Sequence, residues 1–130
     1  MRVFVDSSAI VALIVKKDSN HEQAVEVLDR LTRQGAELVI SNFIIAESYN
    51  LIAVRANSFK AREWLLANTW PVERVERLDE KRALEIIRTY DDKDFSYTDA
   101  TSFAMIERFA IDFAFTFDRH FQQHGICTII

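Results

Sequence analysis

Short apolar runs alternate along the chain with longer segments in which apolar residues recur every three or four positions. The runs predict five strands, at residues 2–6, 37–41, 72–75, 113–117 and 126–130. The longer segments predict helices at about 7–16, 42–56 and 98–109, and further helices that begin near residues 19, 58, 79 and 118. Alternating strands and helices are typical of the α/β class, so we expect a three-layer α/β/α sandwich around a mostly parallel sheet.

Local signals predict where several of these helices begin and end. Ser19 followed by Glu22 is a capping-box pattern, and Gly35 is a natural C-terminal stop for the helix that this pattern opens. Ser58 and Asp79 are expected to cap the helices that follow them. In the helix after Asp79, the apolar pattern predicts that three side chains face the core: Leu84, Ile86 and Ile87.

The composition indicates one folded domain that spans residues 1–130. Hydrophobic residues make up 49% of the chain, whereas one proline and two glycines leave no room for a flexible linker. The single Cys127 falls in the predicted last strand, where it has no internal disulfide partner and is expected to act as a small apolar residue. No apolar stretch is long enough for a membrane span, and the N-terminus lacks the layout of a signal peptide, so we expect a cytoplasmic protein.

The balance of charge restricts the possible functions only weakly. The formal net charge of −4 argues against a general nucleic-acid coat protein. It does not exclude an enzyme that binds nucleic acid locally, because a cluster of metal-binding acids would itself make the chain acidic.

Four carboxylates lie beside or within apolar runs: Asp6, Glu47, Asp99 and Asp118. A carboxylate near a core is costly unless a cation or hydrogen-bond donors meet it, and no Lys or Arg lies within five residues of Glu47 or Asp99. In open parallel sheets, functional groups gather at the carboxyl ends of the strands. Asp6 and Asp118 follow predicted strands, Asp99 falls in a first helical turn, and Glu47 lies only about 9 Å along its helix from Ser41. We therefore expect the four acids to converge on one divalent-metal site that hydrolyses phosphodiesters.

Each acid also has a purely structural interpretation. Asp6 and Asp118 are placed to cap the helices that follow them, and Asp99 in a first turn gains from the helix dipole. Capping does not apply to Glu47 in mid-helix, so its alternatives are a structural hydrogen bond or an exposed polar stripe. The presence of all four acids in one chain favours a common site.

Four motifs carry these acids: Val-Phe-Val-Asp6-Ser-Ser-Ala, Ser-Asn-Phe-Ile-Ile-Ala-Glu47, Ser-Tyr-Thr-Asp99-Ala and Phe-Thr-Phe-Asp118-Arg-His-Phe. In this order and at these intervals, they resemble the PIN domain, and in particular the small VapC-type toxin ribonucleases of prokaryotes. The resemblance covers nearly the whole chain. It implies an endoribonuclease that depends on Mg²⁺ or Mn²⁺, that is usually a homodimer and that is often silenced by an antitoxin encoded beside it.

The resemblance also implies a role for individual residues. The family's acidic quartet is matched by Asp6, Glu47, Asp99 and Asp118. Three of them, Asp6, Asp99 and Asp118, are expected to hold the metal ion, while Glu47 orients or deprotonates the attacking water. Ser7 and Thr116 match hydroxyl residues that are expected to hold the carboxylates in place by hydrogen bonds.

Residues that contact the RNA substrate are harder to predict. Arg119 and His120 follow the last acid, and Asn50 lies one helical turn after Glu47, so all three are candidate contacts. The alternative for Arg119 and His120 is a solvated helix start that touches no RNA. A basic rim around the acidic pocket is a further possibility, and its candidate members are Lys16, Lys17, Arg55, Lys60 and Arg62. Asp94 is interpreted as a solvated loop residue.

Two surfaces are candidates for contacts with other proteins. The helix at 43–54 is apolar nearly all round, which fits either a dimer interface or a deeply buried core helix. Trp64 and Trp70 are interpreted as packing residues or as the lining of a groove for a partner helix.

Other classes of protein share parts of this pattern. A phosphoacceptor receiver domain would want its acceptor Asp after a central strand and a Lys late in the chain, but no Lys follows Lys93. A phosphatase of the haloacid dehalogenase type needs Asp-x-Asp after its first strand, where this chain has Asp6-Ser-Ser8. A housekeeping RNA-processing nuclease and a non-catalytic module with the same fold remain as alternatives to a toxin.

Overall fold

The computed structural model describes residues 1–130 and contains five strands and seven helices. In chain order these are β1 (Arg2–Val5), α1 (Ser7–Ile14), α2 (His21–Arg33), β2 (Glu37–Ser41), α3 (Asn42–Arg55), α4 (Ser58–Ala67), β3 (Val72–Glu73), α5 (Arg77–Thr89), α6 (Tyr97–Arg108), β4 (Phe113–Phe115), α7 (His120–Gln123) and β5 (Thr128–Ile129). None of the helices is both long and apolar enough to span a membrane.

All five strands are parallel and lie in the order β3-β2-β1-β4-β5. The central strand β1 pairs Val3 with Leu38 of β2 on one side and with Phe113 of β4 on the other. Parallel strands that are covered on both faces read as continuous apolar runs, which explains why β1 and β2 show no polar alternation. The predicted α/β/α sandwich with a parallel sheet is confirmed.

The helices pack in two groups on this sheet. In the first group α1 contacts both α2 and α3, and α3 contacts α4; in the second, α6 contacts α5 and α7. The core contains fully buried phenylalanines from the sheet and from the second group: Phe4, Phe103, Phe115 and Phe121. Because these side chains are closely packed in the core, the strands are rigid, and so are the residues that follow the strands at the carboxyl edge of the sheet.

The edge strands are shorter than the sequence predicts. β3 ends at Glu73 rather than at 75, and β5 covers two residues rather than 126–130. An edge strand has one partner, so pairing stops where that partner ends. Cys127 therefore lies outside β5 and its side chain is exposed, which corrects its interpretation as a small apolar strand residue.

Two predicted helix caps are wrong by one or two residues. Ser19 and Glu22 form no capping box; instead Asp18 accepts a hydrogen bond from the backbone N–H of Asn20 at 2.8 Å, and α2 begins at His21. At the start of α4 the cap is Asn57, not Ser58, and its side chain accepts from the N–H of Lys60 at 2.8 Å. Asn and Asp compete well with Ser for such positions, and the sequence places them side by side. The stop at Gly35 is confirmed by its positive φ of 69°.

Helix α5 differs from the prediction in its cap and in its buried face. Asp79 is the third residue of the helix rather than its cap, and accepts a hydrogen bond from the N–H of Glu76 at 2.9 Å. Ile86 is buried as predicted, but Leu84 and Ile87 are exposed, and Ala83 takes the second core position. The apolar spacing fixes the period of the helix but not its rotation about its axis, so a slightly rotated helix buries a different set of these side chains.

An ion pair between a buried acid of α5 and the last residue of α6 links the two helices. The carboxylate of Asp79 is only 1% exposed and accepts from Nε and Nη2 of Arg108, each at 2.8 Å. Arg108 ends α6 and its guanidinium lies over the ring of Phe109, 4.1 Å from the ring centre. This contact holds the helix whose N-terminal turn carries Asp99.

Candidate active site

An open cleft of about 680 Å³ lies at the carboxyl edge of the sheet, and the four acids singled out in the sequence all line it. Asp6 directly follows β1, and Asp118 lies three residues beyond the end of β4, the neighbouring strand. Glu47 comes from α3 and Asp99 from the first turn of α6. The expected convergence of strand ends and helix starts is what the structure shows.

Two hydroxyl groups hold Asp6 in place. Ser8 and Thr116 each donate a hydrogen bond to Oδ2 of Asp6, at 2.7 and 2.9 Å. The same hydroxyl oxygens accept from the backbone: Ser8 from the N–H of Phe117 and Thr116 from the N–H of Asp118, both at 2.9 Å. The network therefore joins the start of α1 to the segment after β4, and it fixes the backbone of Asp118 relative to Asp6.

Glu47 is oriented by another hydroxyl group at the start of α1. The hydroxyl of Ser7 donates a hydrogen bond to Oε1 of Glu47. Ser41, the last residue of β2, caps α3 by accepting from the N–H of Ile44 at 3.0 Å. This cap starts the helix at the sheet edge, so Glu47 in its second turn still reaches the cleft.

Asp99, Asp118 and His120 form a compact cluster. Asp99 belongs to a capping box in which its Oδ2 accepts from the N–H of Ser96 at 3.1 Å. Nδ1 of His120 lies 2.9 Å from Oδ2 of Asp99 and 3.3 Å from Oδ1 of Asp118. One potential ligand atom from each of the three residues lies within 4.8 Å of the other two, a spacing that could accommodate a metal ion.

The electrostatics of the cleft are those of crowded, partly desolvated acids. Burial raises the pKa of Asp6 to about 6, against the opposing effect of the Ser8 and Thr116 hydrogen bonds, and the negative charges of Asp99 and Glu47 add to the rise. Burial also raises the pKa of Glu47, and the charges of Asp99 and Asp118 add to it. No lysine or arginine forms an ion pair with any of the four acids. A divalent cation fits such a site, since it supplies the missing positive charge to oxygen ligands.

The residues predicted to contact RNA lie partly in this cleft and partly outside it. Arg119 and His120 line it, whereas Asn50 is exposed and faces a neighbouring hollow beside Phe43 and Thr98. Asp94 is exposed at the rim, in keeping with its interpretation as a loop residue.

Sequence reasoning missed several residues of the cleft. Ser8 was not singled out, although its place two residues after Asp6, in the first turn of a helix, is a position from which it can bond back to that acid. Asp18 and Asn20 belong to no motif and reach the cleft only because the α1–α2 loop folds over it. Arg55 was placed on a general basic rim rather than in the cleft itself.

The fold and the acidic edge define a class of protein. The model of the PIN domain family matches residues 3–126, and the chain belongs to that family. Within it, the chain groups with the VapC-type toxin ribonucleases. It is 30% identical over 131 residues to the 23S rRNA-specific endonuclease VapC20 of Mycobacterium tuberculosis, across 98% of this chain and 97% of the relative.

Solved structures show the same fold. The crystal structure of M. tuberculosis VapC20, described as a Sarcin-Ricin loop cleaving toxin, covers 95% of both chains with a TM-score of 0.84 and 29% identity. FitAcB from Neisseria gonorrhoeae has a TM-score of 0.73 at 17% identity and covers 98% of this chain and 96% of its own. VapBC2 from Rickettsia felis, bound to a DNA fragment from its promoter, has a TM-score of 0.76 at 11% identity and covers 99% and 98%. The last two are evidence for the fold alone.

The raised pKa of Asp6 predicts an unusual dependence of stability on pH. Because the folded protein binds this proton more tightly than the unfolded chain, the free energy of unfolding should fall as the pH rises from about 4 to about 6, by about 3 kcal/mol from Asp6. Above pH 6 the penalty is fully present. Urea unfolding in EDTA at pH 4.5 and pH 7.5 covers about 2 kcal/mol of this change, and Asp6→Asn should remove that contribution. A variant with the same pH dependence as the parent would contradict the assignment.

Proposed function

We propose that this chain is a divalent-metal-dependent endoribonuclease that hydrolyses RNA phosphodiester bonds and acts as the toxin of a toxin–antitoxin pair. The observation that carries the proposal is the convergence of four carboxylates, none paired with Lys or Arg, on one open cleft. The relationship to VapC20 over nearly the whole chain supports an RNA substrate, and 23S ribosomal RNA is the first one to test.

Three acids are proposed to hold the ion, Asp6, Asp99 and Asp118, with Mg²⁺ or Mn²⁺ as candidates because both accept oxygen ligands. When bound, the ion makes a coordinated water more acidic and offsets charge on the phosphate oxygens. The hydroxyls of Ser8 and Thr116 keep Asp6 from turning away, and so fix one wall of the site.

Glu47 is proposed to take a proton from the attacking water. The pKa of Glu47 is raised towards neutral pH. A general base with such a pKa is still deprotonated at neutral pH and also binds the proton from water more strongly. The hydroxyl of Ser7 fixes the direction of its carboxylate. Arg119 and His120 are proposed to contact RNA phosphates at the side of the cleft formed by α7, and Asn50 to contact a base or sugar in the hollow beyond Glu47.

Calorimetric titration of Mn²⁺ tests the metal site without the need for a substrate. We expect saturable binding by the parent, and affinity at least about tenfold weaker in Asp6→Asn and Asp99→Asn, because each loses a charged ligand. Asp94→Asn is the matched control, since it removes one negative charge from the exposed rim. Equal weakening in all three variants would indicate a diffuse field of acids rather than a site.

Cleavage of 23S ribosomal RNA in purified ribosomes tests the reaction. Glu47→Gln should lower the rate by about a hundredfold or more while Mn²⁺ binding persists, because the variant keeps the shape of the side chain but cannot accept a proton. Glu26→Gln on the exposed side of α2 serves as the control. Full activity of Glu47→Gln would remove Glu47 from the mechanism.

We also propose a homodimer that forms through the exposed side of α3. One face of this helix is buried at Ile44, Ser48 and Ile52, so the helix is not enclosed in the core of a single chain. Val54, near the end of this helix, is 83% exposed and lines neither the cleft nor the hollow beside Asn50. An apolar side that the chain does not cover fits a contact between two copies.

The proposed antitoxin would dock in a separate groove of about 490 Å³ between α1, α2 and α4. Most of its lining is apolar and includes Trp64 and Trp70, while Lys60 and Glu63 at its margin pair with each other. An apolar helix of the antitoxin matches this composition, because the aromatic side chains supply large contact areas.

Light scattering of the chain, alone and co-expressed with the product of the short reading frame beside its gene, tests both contacts. Val54→Glu should lower the molar mass of the free chain from two copies to one. Trp64→Ala should leave two copies but weaken antitoxin capture by about tenfold or more. Each variant is the control for the other. A parent with the mass of one chain, or a Trp64→Ala variant that captures normally, would contradict the respective surface.

A further inference from the structure

The cleft also contains basic side chains, and they lie in two separate places. Besides its acids, the cleft is lined by three basic side chains: Arg55, Arg119 and His120. Arg119 and His120 lie on the segment that starts α7, beside Asp99 and Asp118. Arg55 ends α3, two helical turns or about 12 Å beyond Glu47 on the same face, with Leu51 between them. An RNA that crosses the acids therefore meets positive charge at both ends of the cleft.

Arg55 is anchored by a single contact. Its Nη1 donates to Oδ2 of Asp18 at 2.7 Å. Asp18 is itself fixed, since its Oδ1 accepts from the N–H of Asn20 and its side chain is only 11% exposed. Burial by itself would raise the pKa of Asp18, but the hydrogen bonds from Asn20 and Arg55 lower it overall, so the anchor is charged at neutral pH.

The remaining donors of Arg55 have no partner in the protein. A guanidinium has five N–H donors in a planar fork, and here only Nη1 forms a hydrogen bond. Arg108 uses Nε and Nη2 on Asp79, and Arg82 uses Nε, Nη1 and Nη2 on Glu107 and Glu85. The guanidinium groups of Arg82 and Arg108 therefore bind other residues of the protein through most of their nitrogens. The guanidinium of Arg55 is held by Asp18 through one nitrogen, and its other N–H groups are free to bind a ligand in the cleft.

We propose that Arg55, held in place by Asp18, binds a phosphate of the RNA next to the one that is cleaved, and thereby sets where the chain lies over the four acids. Arginine binds phosphate through two parallel N–H groups, and Asp18 leaves two such groups available. A guanidinium that is already oriented loses less conformational entropy on binding than a free one. The proposal rests on the proposed ribonuclease function, and it assigns Arg55 a positioning role rather than a part in the chemistry.

The test uses a synthetic hairpin RNA with the sarcin–ricin loop sequence, bound to the uncleaving Glu47→Gln protein in Mg²⁺ and followed by fluorescence anisotropy. Arg55→Ala should weaken binding by about tenfold, and should lower the slope of log affinity against log salt by about 0.7, as expected for one phosphate contact. Arg55→Lys should keep the salt slope and recover part of the affinity. Arg88→Ala is the charge-matched control, because this exposed arginine at the end of α5 does not line the cleft.

A scan of the hairpin with single neutral methylphosphonates identifies the phosphate. A methylphosphonate at one position outside the cleaved bond should weaken binding by the protein that retains Arg55, but should not weaken binding by Arg55→Ala further. The methylphosphonate and the substitution of Arg55 remove the same contact. Urea unfolding should give Arg55→Ala nearly the same midpoint as the parent, since the ion pair is partly exposed. Hairpin binding without any such coupled position, or an equal effect of Arg88→Ala, would overturn the role of Arg55 alone. Failure of the Glu47→Gln protein to bind the hairpin would overturn both this role and the proposed substrate.

Discussion

The crowding of four carboxylates at one edge of the sheet is the constraint on which the rest of the structure depends. Burial of these carboxylates, and to a smaller extent their like charges, destabilises the folded chain, as the raised pKa values of Asp6 and Glu47 show. The fold offsets this cost locally, with hydroxyl groups of Ser7, Ser8 and Thr116 that donate to the carboxylates without adding positive charge. A lysine or arginine in the same places would neutralise the acids and compete with a metal ion. Neutral donors instead hold the carboxylates and leave their charge available.

The acids are fixed because they also form the ends of secondary structure. Asp6 caps α1 and Asp99 completes the capping box of α6, while Asp118 accepts from the N–H of His120 at the start of α7. The structural interpretation of these residues is confirmed, and the same three carboxylates also line the cleft. A helix terminus is a well-defined position in a fold, so a side chain that caps it is placed more accurately than one on a free loop.

The sequence predicted the parts of this structure that depend on local pattern. Apolar runs located β1 and β2, and the acids that follow strands or begin helices could be expected at one edge, because parallel sheets share a direction. The position of Ser8 against Thr116 could not be predicted, since it depends on the register of β1 against β4 across more than a hundred residues. The same holds for Arg55 and Asp18, which meet only because the α1–α2 loop folds against the end of α3. The exposure of Leu84 and Ile87 shows a different limit, in that periodicity alone does not fix the rotation of a helix.

The order of the strands has a consequence for synthesis on the ribosome. Strand β4 comes late in the chain but lies in the sheet directly beside β1, and Thr116 contacts Asp6 across 110 residues. A nascent chain that has not yet released β4 lacks Asp118 and lacks Thr116, one of the two hydroxyl residues that fix Asp6. Such non-local strand pairing forms late in folding. The cleft therefore does not exist as a complete site until the segment through Asp118 has emerged, and a translation product truncated before β4 carries three of the acids but no assembled centre.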